Sequence, residues 1–175
     1  MKIFIIILLI LIAIIFLVII ISPQKLKSSY EDKLKTFLLN NKINFTLTKA
    51  EHHSYNYNLK INNIVYLIKL VTVPADADIQ INNKITWEIK FGAGKSLGKA
   101  QPNSTYMGNN INIFMNLKVS DNAQKVVVIL PHPRKIVMYI NECEIIFVKP
   151  STNVYGARVI SCEDFSLFKQ NICSK

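Results

Sequence analysis

The sequence predicts an α/β domain with a mixed sheet, standing behind an N-terminal transmembrane helix. Three observations carry that reading. From Ile3 to Ile21 all 19 residues are apolar. At 1.5 Å per residue such a helix is about 28 Å long, close to the hydrocarbon thickness of a bilayer. From Tyr55 onward the hydrophobic period changes from helical to alternating, in two pairs of runs that each flank Asn-Asn. Toward the C-terminus short apolar runs alternate with helical patterns, as expected of a sheet covered by helices.

Segment 1–22 reads as a permanent, single-pass membrane anchor. Its apolar run is longer than a signal-peptide core, and Ile20-Ile21-Ser22-Pro23 offers no pair of small residues for cleavage. Lys25, Lys27, Lys33 and Lys35 follow the run, whereas only Lys2 precedes it. That asymmetry places the C-terminal domain on the cytoplasmic side. Residues 23–29 then read as a polar linker, and 30–175 as the domain.

Tyr30 to Asn41 sets Leu34, Phe37 and Leu38 at helical spacing, with Glu31 and Asp32 in the first turn. YNYNLKI and IVYLIKLVTV form a hairpin around Asn62-Asn63. DIQI and ITWEIK form a second around Asn82-Asn83. A polar loop with Gly92, Gly94 and Gly98 follows, closed by Pro102. Met107 to Leu117 places Met107, Ile111, Phe114 and Met115 on one helical face, and KVVVIL (125–130) is a continuous apolar run typical of a buried strand. Arg134 to Asn141 reads as a short helix, Glu144 to Val148 and Ala157 to Ser161 as strands, and the tail 162–172 as a helix. Trp87, Phe91, Phe114, Phe147 and Phe168 read as core residues.

The formal net charge is +10, from 21 basic and 11 acidic residues. A basic domain points to nucleic acid or an anionic surface, although a chain crowded with Ile, Lys and Asn also reaches such a charge through compositional bias. Cys143, Cys162 and Cys173 are odd in number and form no CxxC, which speaks against a disulfide framework and for a reducing compartment. His52 and His53 are adjacent, so an extended chain points them to opposite faces, which argues against a His/Cys metal site.

Two motifs overlap in DADIQINNKITWEIKFGAGKS, residues 76–96. GAGKS resembles the end of a phosphate-binding loop, but GxxxxGK[ST] requires glycine where this chain has Ile89. No nucleotide cofactor is expected. The other motif is D-x9-E-x-K: Asp78, Glu88 and Lys90. A loop with an odd number of residues puts every apolar side chain of this hairpin on one face, since a slip of one residue mixes the faces. With a three-residue loop, Asn82 to Lys84, Asp78 lies opposite Glu88 and Asp76 opposite Lys90. Asp76, Asp78, Glu88 and Lys90 then form one polar patch, where two carboxylates can grip Mg²⁺ and the lysine can approach the attacked phosphate.

The order helix, hairpin, D…ExK hairpin, helix, strand resembles the PD-(D/E)xK, restriction-endonuclease-like superfamily, and is similar in particular to its small membrane-associated, nuclease-related members. The resemblance implies an αβββαβ mixed-sheet core and a Mg²⁺-dependent nuclease cleaving phosphodiester bonds. It implies that Asp78, Glu88 and the main-chain carbonyl of Ile89 bind the metal, with Lys90 orienting or deprotonating water. Asp76, or Glu31 from the first helix, is a possible additional acid. Lys84, Lys95 and Lys99 are candidates for gripping a nucleic-acid backbone. The aromatics between those lysines, Trp87 and Phe91, read as core residues, so no base-stacking platform is read. The alternative is a non-catalytic, membrane-tethered domain of the same fold that binds nucleic acid or a protein partner.

Overall fold

A computed structural model describes residues 2–51, 53–92, 103–141 and 143–170; within 2–22 only the Ile7 and Leu11 side chains are described. The chain opens with one long helix, α1 (Lys2–Asn40), which runs through Pro23. The expected linker 23–29 is therefore helical. Pro23 removes a single donor, and the glycine-free stretch after it is rich in the helix formers Gln, Lys and Leu. Lys42 ends the helix with a left-handed φ of 54°. Its N–H donates to the Leu39 carbonyl, and the Ile43 N–H donates to that of Leu38, at 2.9 and 3.0 Å. This is the Schellman pattern, which satisfies carbonyls that the last turn leaves open.

Among the described residues, no helix is long and apolar enough to cross a membrane. That finding overturns the expected transmembrane anchor over 1–22, and with it the single-pass membrane localisation and the cytoplasmic placement of the domain. The apolar run is not set off as an independent span. It continues without a break into the turns of α1 that pack on the domain, where Tyr30, Leu34 and Leu38 are buried.

The strands form two sheets, where a single mixed sheet with an αβββαβ core was expected. In chain order they are β1 (Phe45–Lys49), β2 (Tyr57–Ile61), β3 (Ile64–Thr72), β4 (Asp78–Ile81), β5 (Trp87–Phe91), β6 (Asn103–Tyr106), β7 (Ala123–Leu130), β8 (Lys135–Tyr139), β9 (Ile145–Phe147) and β10 (Ala157–Ser161). The first sheet has the order β1-β2-β3-β7-β10 and the second β6-β5-β4-β8-β9. In the first, β3, β7 and β10 run parallel; in the second, β4 and β8 do. Two short helices complete the chain, α2 (Asn109–Asn116) and α3 (Ser166–Gln170).

Burial explains the layering. One face of the first sheet (Tyr66, Ile68, Val126, Val128) packs against Leu34 and Leu38 of α1 and Phe168 of α3. The other face (Leu67, Val127, Ile129, Val159) packs against Ile79, Ile81 and Trp87 of the second sheet and Phe114 of α2. Strands β3 and β7 are thus covered on both sides, which is why they read as continuous apolar runs. Two lysines interrupt those runs on the inner face. Lys125, 6% exposed, donates from Nζ to the carbonyls of Met115 and Leu117 at 2.7 and 3.3 Å. It caps the C-terminal end of α2, whose carbonyls favour a cation.

Residues Arg134 to Asn141, expected as a short helix, contain strand β8. Ile136, Val137 and Met138 gain more by pairing in parallel with β4 than a lone helical turn would offer, and β-branched residues suit the pleat. The first hairpin keeps its expected form. Ile61 pairs with Ile64 across Asn62-Asn63, and Asn62 takes the left-handed φ of 53° that asparagine tolerates.

Candidate nucleic-acid interface

The second hairpin determines where the expected metal ligands lie. Ile81 pairs with Trp87, Gln80 with Glu88, and Asp78 with Lys90. The turn therefore takes up 82–86, two residues more than the three-residue loop expected. Asn83 accounts for the widening: its Oδ1 accepts from the N–H groups of Ile85 and Thr86 at 3.0 and 2.8 Å, closing a turn of its own. The longer loop is still odd, so the faces are as anticipated. Asp78, Gln80, Glu88 and Lys90 share the outer face, and Ile79, Ile81, Trp87 and Ile89 point into the core. The partners across the hairpin differ: Asp78 faces Lys90 instead of Glu88.

Asp78 is already committed. It is 5% exposed, and Arg134 grips it with both arms of the fork, Nε to Oδ1 at 2.7 Å and Nη2 to Oδ2 at 2.5 Å. Lys135, its direct neighbour across the parallel ladder, brings Nζ to 3.5 Å. The guanidinium holds the Asp78 carboxyl below the ordinary carboxylate range, and Lys135 adds to that. A divalent ion approaching Asp78 would meet those two cations first. Glu88 accepts a hydrogen bond from the Ser104 hydroxyl and lies 3.8 Å from Lys90 Nζ.

The other expected site residues are spread out. Ile89 is buried, in a strand flanked on both sides by ladders. Asp76 sits before β4 with a left-handed φ of 57°, and its charge acts on Arg134. Glu31 lies across the first sheet, accepting from Lys35 Nζ at 2.7 Å and Tyr57 OH at 2.8 Å. The Lys35 bond and the Tyr57 hydroxyl lower its pKa. Lys84 is exposed at the hairpin turn. Lys95 and Lys99, with most of GAGKS, fall outside the described residues. Among the described residues, no group of three or more His, Cys, Asp or Glu side chains is placed to hold a metal ion.

The sheet's outer face instead aligns aromatic and cationic residues. One row of paired positions runs Ser104–Lys90–Asp78–Lys135, and the next runs Tyr106–Glu88–Gln80–Val137–Phe147. Tyr106 is 64% and Phe147 68% exposed. They stand at opposite edges, four strand spacings or about 19 Å apart. Phe147 had been expected in the core. Among the described residues strand β9 is the sheet's edge beyond β8, and its outward Phe147 is open to solvent. Tyr139 and Ile145 form a third row on the same face. Lys90, Lys135 and Arg134 outnumber the two carboxylates on this face, Asp78 and Glu88. Aromatics on the two edge strands therefore flank the lysines of β5 and β8, across the sheet and not along the chain.

Arg134 and Ser104 were not singled out from the sequence as site residues. The one available signal was the period of two in KIVMY, which puts Lys135, Val137 and Tyr139 on a single face. No family model, no curated protein and no solved structure matches this chain. The resemblance to the restriction-endonuclease-like superfamily thus rests on the D-x9-E-x-K spelling.

Proposed function

We propose that the protein is a non-catalytic module that binds single-stranded nucleic acid across the outer face of its second sheet. The observation behind this reading is the row that carries Tyr106 and Phe147 at its two ends, beside a row bearing Lys90 and Lys135. Exposed aromatic rings stack on bases of any sequence, and the neighbouring cations track the phosphates. A face about 19 Å wide accommodates a few nucleotides of an extended strand. The commitment of Asp78 to Arg134 favours binding over metal-assisted hydrolysis.

Titrating a short labelled single-stranded oligonucleotide, followed by anisotropy, tests this. Affinity is expected to fall with salt, with a log–log slope of about −2 for three phosphate contacts to a single strand. Tyr106→Ala and Phe147→Ala should each weaken binding by about tenfold, as loss of one stacking partner does. Salt-insensitive binding, or full affinity in both variants, would reject the proposal. Mg²⁺-dependent cleavage that disappears in Glu88→Gln would restore the phosphodiesterase reading through Asp78, Glu88 and Lys90 instead.

A further inference from the structure

Away from that face, a cleft of about 310 Å³ opens between α1, the end of β3 and the start of α2. Lys27, Asn56, Lys69, Tyr106, Gly108 and Asn110 are among the residues lining it, and among the described residues it has no carboxylate. Lys69 is the feature that needs an explanation. It is 7% exposed, on a strand covered from both sides, and among the described residues its Nζ donates to one acceptor, the His53 carbonyl, at 3.3 Å. A buried ammonium is costly unless it is paired. Here the charge acting on it is another cation: burial first, and then Lys27, push the Lys69 pKa down.

The third wall adds to the same potential. Helix α2 starts at Asn109 behind Gly108, which has no side chain with which to cap the first turn. The Ile111 N–H donates to the Gly108 carbonyl at 3.2 Å, and no described side chain caps the amides ahead of it, which carry the positive end of the helix dipole. Two ammonium groups and a helix start line one space, without a counter-charge among the described residues. A carboxylate would answer one of the lysines, whereas a phosphate dianion answers both and offers enough acceptors for the amides as well. The volume lies at the lower end of the range for ligand pockets, about 300–1,000 Å³, and suits a phosphate group with a small substituent.

We propose that this cleft is a phosphomonoester site, held by Lys27, Lys69 and the amides that open α2. The site does not depend on the sheet face described above. Two sources share this chemistry, a free phosphomonoester and the phosphorylated end of a strand; Tyr106, which lines the cleft, also begins the aromatic row.

Thermal unfolding of the full chain in inorganic phosphate, against chloride at matched ionic strength, is the test. A saturating rise of about 4 °C in the millimolar range is expected. It should be lost in Lys69→Met and cut by about tenfold in apparent affinity in Lys27→Met. Should Lys69→Met fail to fold, Lys27→Met on α1 reads the same site alone. A rise that does not saturate, or one that both variants retain, is the general stabilising action of phosphate and overturns the proposal. Given the saturating response, comparing 5′-phosphorylated with 5′-hydroxyl oligonucleotides identifies the source. A phosphate-dependent gain that Lys27→Met abolishes assigns the cleft to strand ends, and equal affinities assign it to a free phosphomonoester. Failure of the oligonucleotide assay on the sheet face leaves the phosphate titration standing, because that titration reads Lys27 and Lys69, neither of which belongs to the second sheet.

Discussion

Truncating Trp87 to alanine is expected to cost about 4 kcal/mol of folding stability, in the range for large aromatic residues removed from a core. Trp87 is fully buried between the sheets, among the residues that join the second sheet to β7 and α2. Its Nε1 also donates to the Lys84 carbonyl at 3.2 Å, tying the hairpin turn to the strand that follows. Trp87→Phe keeps most of the packing and loses only that bond, so it should cost far less, with the missing hydrogen bond contributing about 1 kcal/mol. Urea unfolding followed by far-UV circular dichroism measures both, since the variants remove the single tryptophan. A loss in Trp87→Ala no larger than in Trp87→Phe would mean that the two sheets are not packed through this residue.

Arg134→Met should lower the melting temperature by about 5 °C at pH 7, because it leaves Asp78 buried with only the more distant Lys135 as a partner. The pH dependence gives a sharper criterion. The Asp78 carboxyl is held below its ordinary value in the folded protein. Its contribution to stability is therefore complete above the unfolded pKa of about 3.9, and is lost as the pH falls through the lower, folded value. Removing Arg134 raises that folded value. The gap between wild type and variant should accordingly be widest at neutral pH and close in strong acid, where both carry a protonated Asp78. In an Asp78→Asn background the Arg134 substitution should cost much less, which a double-mutant cycle reads directly. An unchanged acid limb would show that the guanidinium is not what holds Asp78.

These two experiments address features that were unequally legible in the sequence. Which faces the second hairpin presents followed from alternation alone, since Ile79, Ile81, Trp87 and Ile89 permit one parity. The pairing did not follow, because Asn83 closes a turn with its own side chain and moves the partners by two positions. Arg134 was out of reach for a different reason. It meets Asp78 through a parallel ladder between β4 and β8, and such ladders leave no local turn to mark them. Strand β8 was misread as a helix because KIVMY is too short for periodicity to decide. Strands β1 and β6 passed unnoticed: threonine and lysine hide the pattern in FTLTK, and every residue of NSTY is exposed. The division into two sheets was equally hidden, because alternation reports which face a residue takes and not which sheet its strand joins. The carboxylates of the motif were visible, whereas the cation that occupies Asp78 was not.

The route of the chain has a consequence for how the protein folds. After β3 the chain leaves the first sheet to build β4, β5 and β6, returns for β7, leaves again for β8 and β9, and returns for β10. The two sheets are laced together, and neither exists as a continuous stretch of sequence. Val65 must find Ala123, and Asp78 must find Lys135, before either inner ladder can form. Chain closure over such distances comes early and is rewarded late, so folding should fall toward the slow, milliseconds-to-seconds end of the scale. No half of the chain can fold ahead of the other, and a nascent chain emerging from the ribosome would hold the first sheet incomplete until residues 157–161 arrive to add its last parallel strand.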